Sequence, residues 1–175
     1  MNLRTVVFFA VFAGGCAPFQ VVRGPESCEL ARDFSSDFDG PMRANTFYYD
    51  SGFRGVGLLK SKKGLFLSVV WVSSGAVAAD VEEGTKLEVA LDDGSILELK
   101  VFKTAPRIVG ANPAGIFSQW ITDSALDSQQ FDSLVKHGVR SLRTTVGGTQ
   151  IMQKVLDDPR ARLQTLAICL AQHSG

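Results

Sequence analysis

Short segments in which apolar and polar residues alternate dominate the chain after about residue 41, and turn-forming residues separate them. This spacing is typical of antiparallel sandwiches and barrels. The predicted strands cover residues 42–49, 54–60, 65–73, 85–91, 95–104, 115–122, 139–146 and 149–156. We therefore expect a mainly β fold, an antiparallel β-sandwich or barrel-like domain with two short helices, one of them at the C-terminus.

The segment Asp-Asp-Gly at 92–94 predicts a β-hairpin whose register follows from the pattern. A two-residue turn would place Val89 opposite Glu98. A three-residue loop with Gly94 in the left-handed conformation places Val89 opposite Leu97, which keeps the apolar residues on one face. We therefore predict the second register. Its pairs are Val89–Leu97 and Leu87–Leu99 inside, with Lys86–Glu98 and Glu88–Lys100 diagonally outside.

Residues 65–72 are apolar on both faces, which predicts a central strand that is covered on both sides. Gly147 and Gly148 predict a second tight hairpin between the last two strands. Trp71 and Trp120 lie within strand-like segments, so we expect both to pack in the core.

Two helices interrupt the β pattern. Asp127 and Gln130 have the spacing of a capping box, and Gly138 is a plausible end for that helix. A second helix is expected to begin with Asp158 as N-cap and Pro159 in the first turn. We expect this helix to cover an open side or end of the sheet with one apolar face. That face consists of Leu163, Leu166, Ala167 and Leu170.

The N-terminus has the layout of a secretory signal. Arg4 and the α-amino group are positive, residues 6–13 are all apolar, and Gly14 and Gly15 follow. A spanning helix needs about 20 apolar residues, far more than this segment provides. We therefore predict a signal peptide over residues 1–15.

Residues 13–16, Ala-Gly-Gly-Cys, resemble the lipobox of bacterial lipoproteins. The resemblance implies that Cys16 is lipidated and becomes the new N-terminus, which anchors the protein to a membrane. Ala17 after the cysteine favours the outer membrane, with the domain facing the periplasm. Ordinary signal peptidase also accepts Ala13 and Gly15, so cleavage to a secreted soluble β-domain protein is the alternative.

The remaining domain boundaries follow from breaks in the pattern. We expect residues 16–41 to form the lipidated cysteine and a flexible tether, and residues 42–175 to form the β-rich domain. If Cys16 is lipidated, Cys28 and Cys169 remain as a pair in an oxidising compartment, and a disulfide between them is possible. The alternative is a small buried apolar residue at Cys169 and a free thiol at Cys28.

Composition describes a globular protein, with 45% hydrophobic and 21% charged residues. Lys plus Arg equals 18 and Asp plus Glu equals 18, so charge gives no reason to expect nucleic acid as a partner. The densest basic group is Lys60, Lys62 and Lys63, which we interpret as part of a solvated turn.

No motif in the sequence assigns a catalytic residue, a metal or a cofactor. His137 and His173 are the two histidines, and neither has Cys or His at metal-ligand spacing. Residues 33–40 lack the ligand alternation of a calcium loop, so we interpret them as a polar linker. Residues 110–115 lack the spacing of a phosphate-binding loop and are expected to be an ordinary loop.

The hairpin at 84–99 and the elements after it resemble small bacterial envelope lipoproteins, a likeness that implies no activity. Our first hypothesis is a membrane-anchored envelope lipoprotein that acts as a non-catalytic binding or structural module for an envelope protein or ligand. The second is an envelope-located hydrolase. An enzyme should have a cleft where ionisable side chains converge, and a module should not.

Overall fold

The computed structural model describes residues 32–36, 40–49 and 54–172. The strands are β1 (Arg32–Ser36), β2 (Gly40–Tyr49), β3 (Arg54–Ser61), β4 (Gly64–Ser74), β5 (Lys86–Leu91), β6 (Ile96–Lys100), β7 (Ile108–Asn112), β8 (Gly115–Leu126), β9 (Val139–Val146) and β10 (Thr149–Lys154). The helices are α1 (Ser128–Lys136) and α2 (Asp157–Gln172). Each predicted strand and both predicted helices therefore have a counterpart in the structure.

The strands form two antiparallel sheets. The larger has six strands in the order β1-β2-β3-β4-β8-β7, and the smaller has four in the order β10-β9-β5-β6. An isolated bridge between Val101 and Ser124 joins the end of β6 to β8. The Phe102 N–H donates to the Asp123 carbonyl over 2.7 Å beside it. The predicted mainly β class is confirmed, and the arrangement is sandwich-like.

The central strand of the larger sheet is β4, as the apolar segment at 65–72 predicts. Leu67, Val69 and Trp71 face the core between the sheets, and Phe66 and Val70 are buried on the other face. This confirms a strand covered on both sides.

Both tryptophans lie in that core. Trp71 and Trp120 stand opposite each other on β4 and β8, and each is 0% exposed. The indole N–H of Trp71 donates to Thr122 Oγ1 over 2.8 Å, and that of Trp120 donates to the Ala79 carbonyl over 3.0 Å. Because burial leaves neither ring available for stacking on a ligand, the predicted core role is confirmed.

The hairpin between β5 and β6 has the predicted register. Leu87 pairs with Leu99 and Val89 with Leu97, and Gly94 has a φ of 89°. On the solvent face Lys86 contacts Glu98 as predicted. Glu88, however, is paired with Arg143 rather than with the expected Lys100. The reason is that β9 lies on the other side of β5 and places Arg143 directly across from Glu88.

The hairpin between β9 and β10 and helix α1 also confirm the predicted turns and cap. Gly147 and Gly148 both have positive φ between the paired Val146 and Thr149. Asp127 caps α1 by accepting the Gln130 N–H over 2.8 Å, and the Gln130 side chain accepts the Asp127 N–H over 3.0 Å.

Helix α2 begins at Asp157, one position before the expected N-cap Asp158, so Asp158 and Pro159 both lie inside the first turn. The helix contacts β2, β3 and β9 and closes one side of the sandwich. None of the helices in the described parts of the chain is long and apolar enough to span a membrane. The predicted apolar face is buried, namely Leu163, Leu166, Ala167 and Leu170.

Two strands lie where the sequence analysis expects none. The strand β1 falls inside the segment assigned to the tether, so the larger sheet begins before residue 42. The ordinary loop expected at 110–115 is wrong, because β7 extends to Asn112 and β8 begins at Gly115. Only Pro113 and Ala114 separate them, and Asn112 Oδ1 accepts the Ala114 N–H over 2.9 Å to stabilise this turn.

Candidate functional site

Ionisable side chains from three distant segments meet at one place, which we call the polar end: Asp92, Asp93, His137 and Arg160. The β5–β6 turn carries both aspartates, α1 ends at His137, and the first turns of α2 carry Arg160. Arg160 Nη1 lies 3.0 Å from Asp92 Oδ1, and His137 Nε2 lies 3.4 Å from Asp93 Oδ2. The cluster therefore consists of two pairs, each between an aspartate and a basic side chain of another segment.

The polar end is filled by its own side chains. A Cβ built on Gly138 would lie 2.5 Å from Asp92 Oδ2 and 3.0 Å from Arg160 Cγ. The Asp92 N–H also donates to the Gly138 carbonyl over 3.0 Å. These contacts fix the hairpin turn against α2, and they leave no space for a substrate beside Gly138.

Hydrogen bonds from Ser95 lower the pKa of the Asp93 carboxyl, and the charge of His137 lowers it further. The Ser95 hydroxyl donates to Asp93 Oδ1 over 2.7 Å and the Ser95 N–H over 3.0 Å. A carboxylate stabilised in this way is a weaker base than an ordinary aspartate. Asp93 is therefore poorly suited to proton abstraction near neutral pH.

A second charged group covers the solvent face of the smaller sheet. The Arg143 guanidinium and then the Lys86 ammonium hold the pKa of the Glu88 carboxyl below its ordinary value. Glu98 and Glu88 in turn raise the pKa of Lys86. The members of this group stand on adjacent strands β9, β5 and β6, so they form a cross-strand ion-pair network on a sheet surface.

The hairpin of β7 and β8 presents the opposite kind of surface. Ile108 is 46% exposed, Val109 51% and Ile116 57%. Ile121 is about half exposed further along β8, and the ring of Phe117 lies over Gly110. We call these residues the β7–β8 surface: Ile108, Val109, Ile116, Phe117 and Ile121. These residues divide between the two faces of the hairpin, with Val109 and Ile116 on one face and Ile108, Phe117 and Ile121 on the other. Exposed apolar side chains on both faces of an edge hairpin make it a candidate interaction site.

A cleft of about 230 Å³ opens on the same surface. It lies where β4 ends beside the β7–β8 turn. Its walls include apolar Val72, Ile116 and Phe117 and polar Arg54, Ser74 and Asn112. Apolar walls with a few polar groups are the usual composition of a binding site. None of the residues of the polar end lines this cleft.

The positions singled out from sequence are only partly described by the structure. Cys16, Cys28 and His173 lie outside the described residues. Cys169 is buried on α2 and is disulfide-bonded. Since both other cysteines are outside the described range, its pairing with Cys28 stays a prediction. In the part of the chain that the structure describes, no group of three or more His, Cys, Asp or Glu side chains could hold a metal.

The chain matches no family, no curated protein and no solved structure. The geometry of the polar end and of the β7–β8 surface therefore carries the functional argument. Sequence analysis predicted neither the polar end nor the β7–β8 surface. One signal could have indicated the β7–β8 surface, because residues 108–122 contain no charged side chain although part of that segment lies at a sheet edge.

Proposed function

We propose that this protein is a lipoprotein of the bacterial cell envelope, anchored through Cys16, that binds a partner through the β7–β8 surface and catalyses no reaction. The lipobox-like residues 13–16 support the anchor. The disulfide at Cys169 supports an oxidising compartment outside the cytoplasm, since such bonds rarely persist among reduced thiols. Under this proposal the domain faces the periplasm at the outer membrane.

The observation that carries the binding role is that, in the described part of the chain, the cleft lies apart from the carboxylates and the histidine of the polar end. The cleft is lined by Ile116, Phe117 and Arg54, whereas Asp93 and His137 belong to the filled polar end. A hydrolytic site needs both features in one place, because the reacting groups must touch the substrate. A binding site needs only the cleft and the exposed apolar side chains of the β7–β8 surface beside it.

The exposed aliphatic side chains of the β7–β8 surface would favour binding of a partner. Full burial of an Ile or Val side chain is worth about 1.5–3 kcal/mol. Because Ile108, Val109 and Ile116 are already about half covered, covering the rest of each would contribute roughly 1 kcal/mol. Arg54 and Asn112 in the cleft would add polar contacts that orient the partner.

Among the described residues, Ser95, Asp93 and His137 form a continuous chain of contacts that contains the residue types of a hydrolase triad. In a nucleophilic triad the imidazole lies between the serine and the carboxylate, so that it can accept the serine proton. Here the Ser95 hydroxyl donates to Asp93, and Asp93 lies between Ser95 and His137. This order leaves Ser95 without an imidazole that could accept its proton, and so supports binding over hydrolysis.

The anchor is tested by fractionation of cells that express the full chain. Wild type is expected in the membrane fraction with a mature N-terminal cysteine that carries acyl chains. Cys16→Ala is expected to be released or to remain an uncleaved precursor. A mature wild-type N-terminus without acyl mass would instead support the secreted alternative.

The surface is tested by crosslinking in intact cells followed by mass spectrometry of the captured proteins. Ile116→Lys is expected to lose the partners that wild type captures, because it places a charge in the apolar β7–β8 surface. Met152→Lys is the matched control, since Met152 is 69% exposed on the other sheet. If Ile116→Lys captures the same partners in the same amounts, the β7–β8 surface is not the binding site.

A further inference from the structure

Among the strands that the structure describes, β7 is an edge strand of the larger sheet. In the described residues its only strand neighbour is β8. Asn112 pairs with Gly115 across the two-residue turn, so Asn112, Gly110 and Ile108 hydrogen-bond to β8 in the alternating antiparallel pattern. The N–H and C=O groups of the residues between them, Val109 and Ala111, therefore point away from the sheet. Open backbone groups of this kind can receive another strand.

Three common protections of an edge strand, namely charge, proline and a bulge, are missing within β7. Natural edges carry charged residues, proline or a bulge that prevents pairing. Residues 108–112 contain neither charge nor proline, and β7 pairs with β8 without a register shift. The nearest charge, Arg107, donates from its guanidinium to the Val77 carbonyl over 3.1 Å and from its N–H to Asp80 over 2.9 Å. Arg107 is thus held by the segment before β5.

We propose that β7 pairs antiparallel with β7 of a second copy of this chain, about a two-fold axis that passes beside Gly110. Val109 of one copy then lies opposite Ala111 of the other, and the two exchange backbone hydrogen bonds. By the same two-fold symmetry, Ala111 of the first copy lies opposite Val109 of the second, since both copies use the same strand in the interface. The two six-stranded sheets become one continuous sheet.

Side chains near the axis fit this pairing. Gly110 would meet Gly110 of the second copy as a non-hydrogen-bonded pair, where Cα atoms approach to about 4.5 Å. The absence of a Cβ keeps that approach open, and each Phe117 ring already occupies the space above its own Gly110. Ile108 would lie opposite Asn112 of the second copy, a pair without charge.

The other face of the joined strands accounts for the exposed aliphatic side chains. Val109, Ala111 and Ile116 share one face, because Ala111 pairs with Ile116 and Val109 with Ser118. Val109 of one copy would therefore lie opposite Ala111 of the second copy. Ile116 of the second copy lies on the other side of that Ala111, on the neighbouring strand β8. Val109 of each copy gains an apolar neighbour across the new strand pair, and no like charges are brought together. This self-complementarity is the reason to name a second copy as the occupant.

This dimer names a partner for the β7–β8 surface and so rests on the proposed function, although pairing does not itself require the anchor. A five-residue strand buries less than the roughly 1,200 Å² of a stable interface. Confinement to a membrane raises the effective concentration and would compensate for weak pairing. We therefore expect the dimer to be seen most readily in native membranes.

The test uses two differently tagged full-length copies expressed together, with Val109→Cys in one and Ala111→Cys in the other. Opposed Cα atoms about 5.5 Å apart are within disulfide range, so mild oxidation of membranes should give a mixed dimer. Val109→Cys with Met152→Cys is the matched control and should give none. Adding Ile116→Lys to both copies of the first pair should lower the yield of the mixed dimer, because it places a charge next to Ala111 on the same face, whereas adding Met152→Lys should leave the yield unchanged.

Two outcomes overturn the pairing. One is no mixed dimer from Val109→Cys and Ala111→Cys when both thiols react with a maleimide. The other is equal crosslinking in the Met152→Cys control, which would indicate random collision. If the dimer is absent while Ile116→Lys still prevents capture of other envelope proteins, the pairing fails and the proposed function stands.

Discussion

The polar end and the β7–β8 surface differ in what their side chains contact. At the polar end Arg160 is paired with Asp92, and His137 with Asp93, within the same chain. On the β7–β8 surface, Val109 and Ile116 are about half exposed. A paired charge gains little from a new partner and must first be desolvated, whereas an exposed aliphatic side chain gains by being covered. The ionisable residues of the polar end are thus less suited to binding a partner than the apolar residues of the β7–β8 surface.

The strand β8 shows why one surface is open. On its core-facing side the residues from Ser118 to Ser124 are buried, including Trp120, and the Val101–Ser124 bridge joins this part to the smaller sheet. Ile116 is on the same face but precedes the covered part, and it is 57% exposed. The same face of β8 is therefore core from Ser118 onwards and surface before it.

The largest loss of stability is expected from filling the polar end. Gly138→Val places a branched side chain where the Asp92 carboxylate and the Arg160 stem already lie. Overpacking of this kind costs about 1–3 kcal/mol, measured by urea unfolding. Ala111→Val, a matched addition on exposed β7, should change the free energy of unfolding by less than about 0.5 kcal/mol. Equal losses of unfolding free energy in both variants would contradict the difference in packing between the polar end and the β7–β8 surface.

A smaller loss is expected in the turn that supplies the aspartates. Gly94 has a φ of 89°, which a side chain with a Cβ rarely adopts. Gly94→Ala should cost about 1 kcal/mol in the free energy of unfolding. Gly94→Asn should cost less, because asparagine tolerates this region better. A wild-type melting temperature for Gly94→Ala would contradict the left-handed turn.

Sequence reasoning succeeds where neighbours along the chain determine the structure. The alternation of Leu87 and Val89 with Leu97 and Leu99 fixes the hairpin register, because only one pairing places all four inside. The capping box at Asp127 is equally local. These elements are predicted well because every residue that decides them lies within one turn or one hairpin.

The remaining features depend on contacts between distant segments. The polar end joins Asp92, His137 and Arg160, whose approach depends on the whole fold. The strand β7 escaped prediction because Gly110 and Pro113 indicate a loop, while β8 supplies the pairing that makes it a strand. That Ile116 is exposed follows from how far the smaller sheet extends, which no periodicity encodes.

The charged groups should make stability depend on pH in acid. Hydrogen bonds from Arg143, and then from Lys86, lower the pKa of Glu88 from its ordinary 4.5, and those from Ser95 lower the pKa of Asp93 from 3.8. A lowered folded-state pKa adds stability that is present above the ordinary value and is lost as the pH falls through that value towards the folded one. The urea concentration at the unfolding midpoint should therefore decrease as the pH is lowered below about 5. Because Asp93 is exposed and Glu88 is partly exposed to solvent, the effect should be modest.

Removal of the guanidinium isolates the contribution of Glu88. Arg143→Met should flatten the fall in the urea midpoint between about pH 5 and pH 3, because Glu88 then keeps a pKa nearer its ordinary value in the folded state. Ile116→Ala is the control from the apolar surface and should keep the wild-type slope. An unchanged slope in Arg143→Met would show that the Glu88–Arg143 pair does not contribute to the pH dependence.

The smallest change in stability is expected where we propose the function. Ile116→Ala removes a side chain that is 57% exposed, so the free energy of unfolding should change by no more than about 0.5 kcal/mol in dilute solution. The same variant should reduce capture of partners in membranes, because it removes apolar area that only a bound partner covers. Thermal unfolding and crosslinking of one preparation measure both effects. A large loss of stability would instead mean that Ile116 supports the fold, and the apolar surface would then resemble the polar end in being structural.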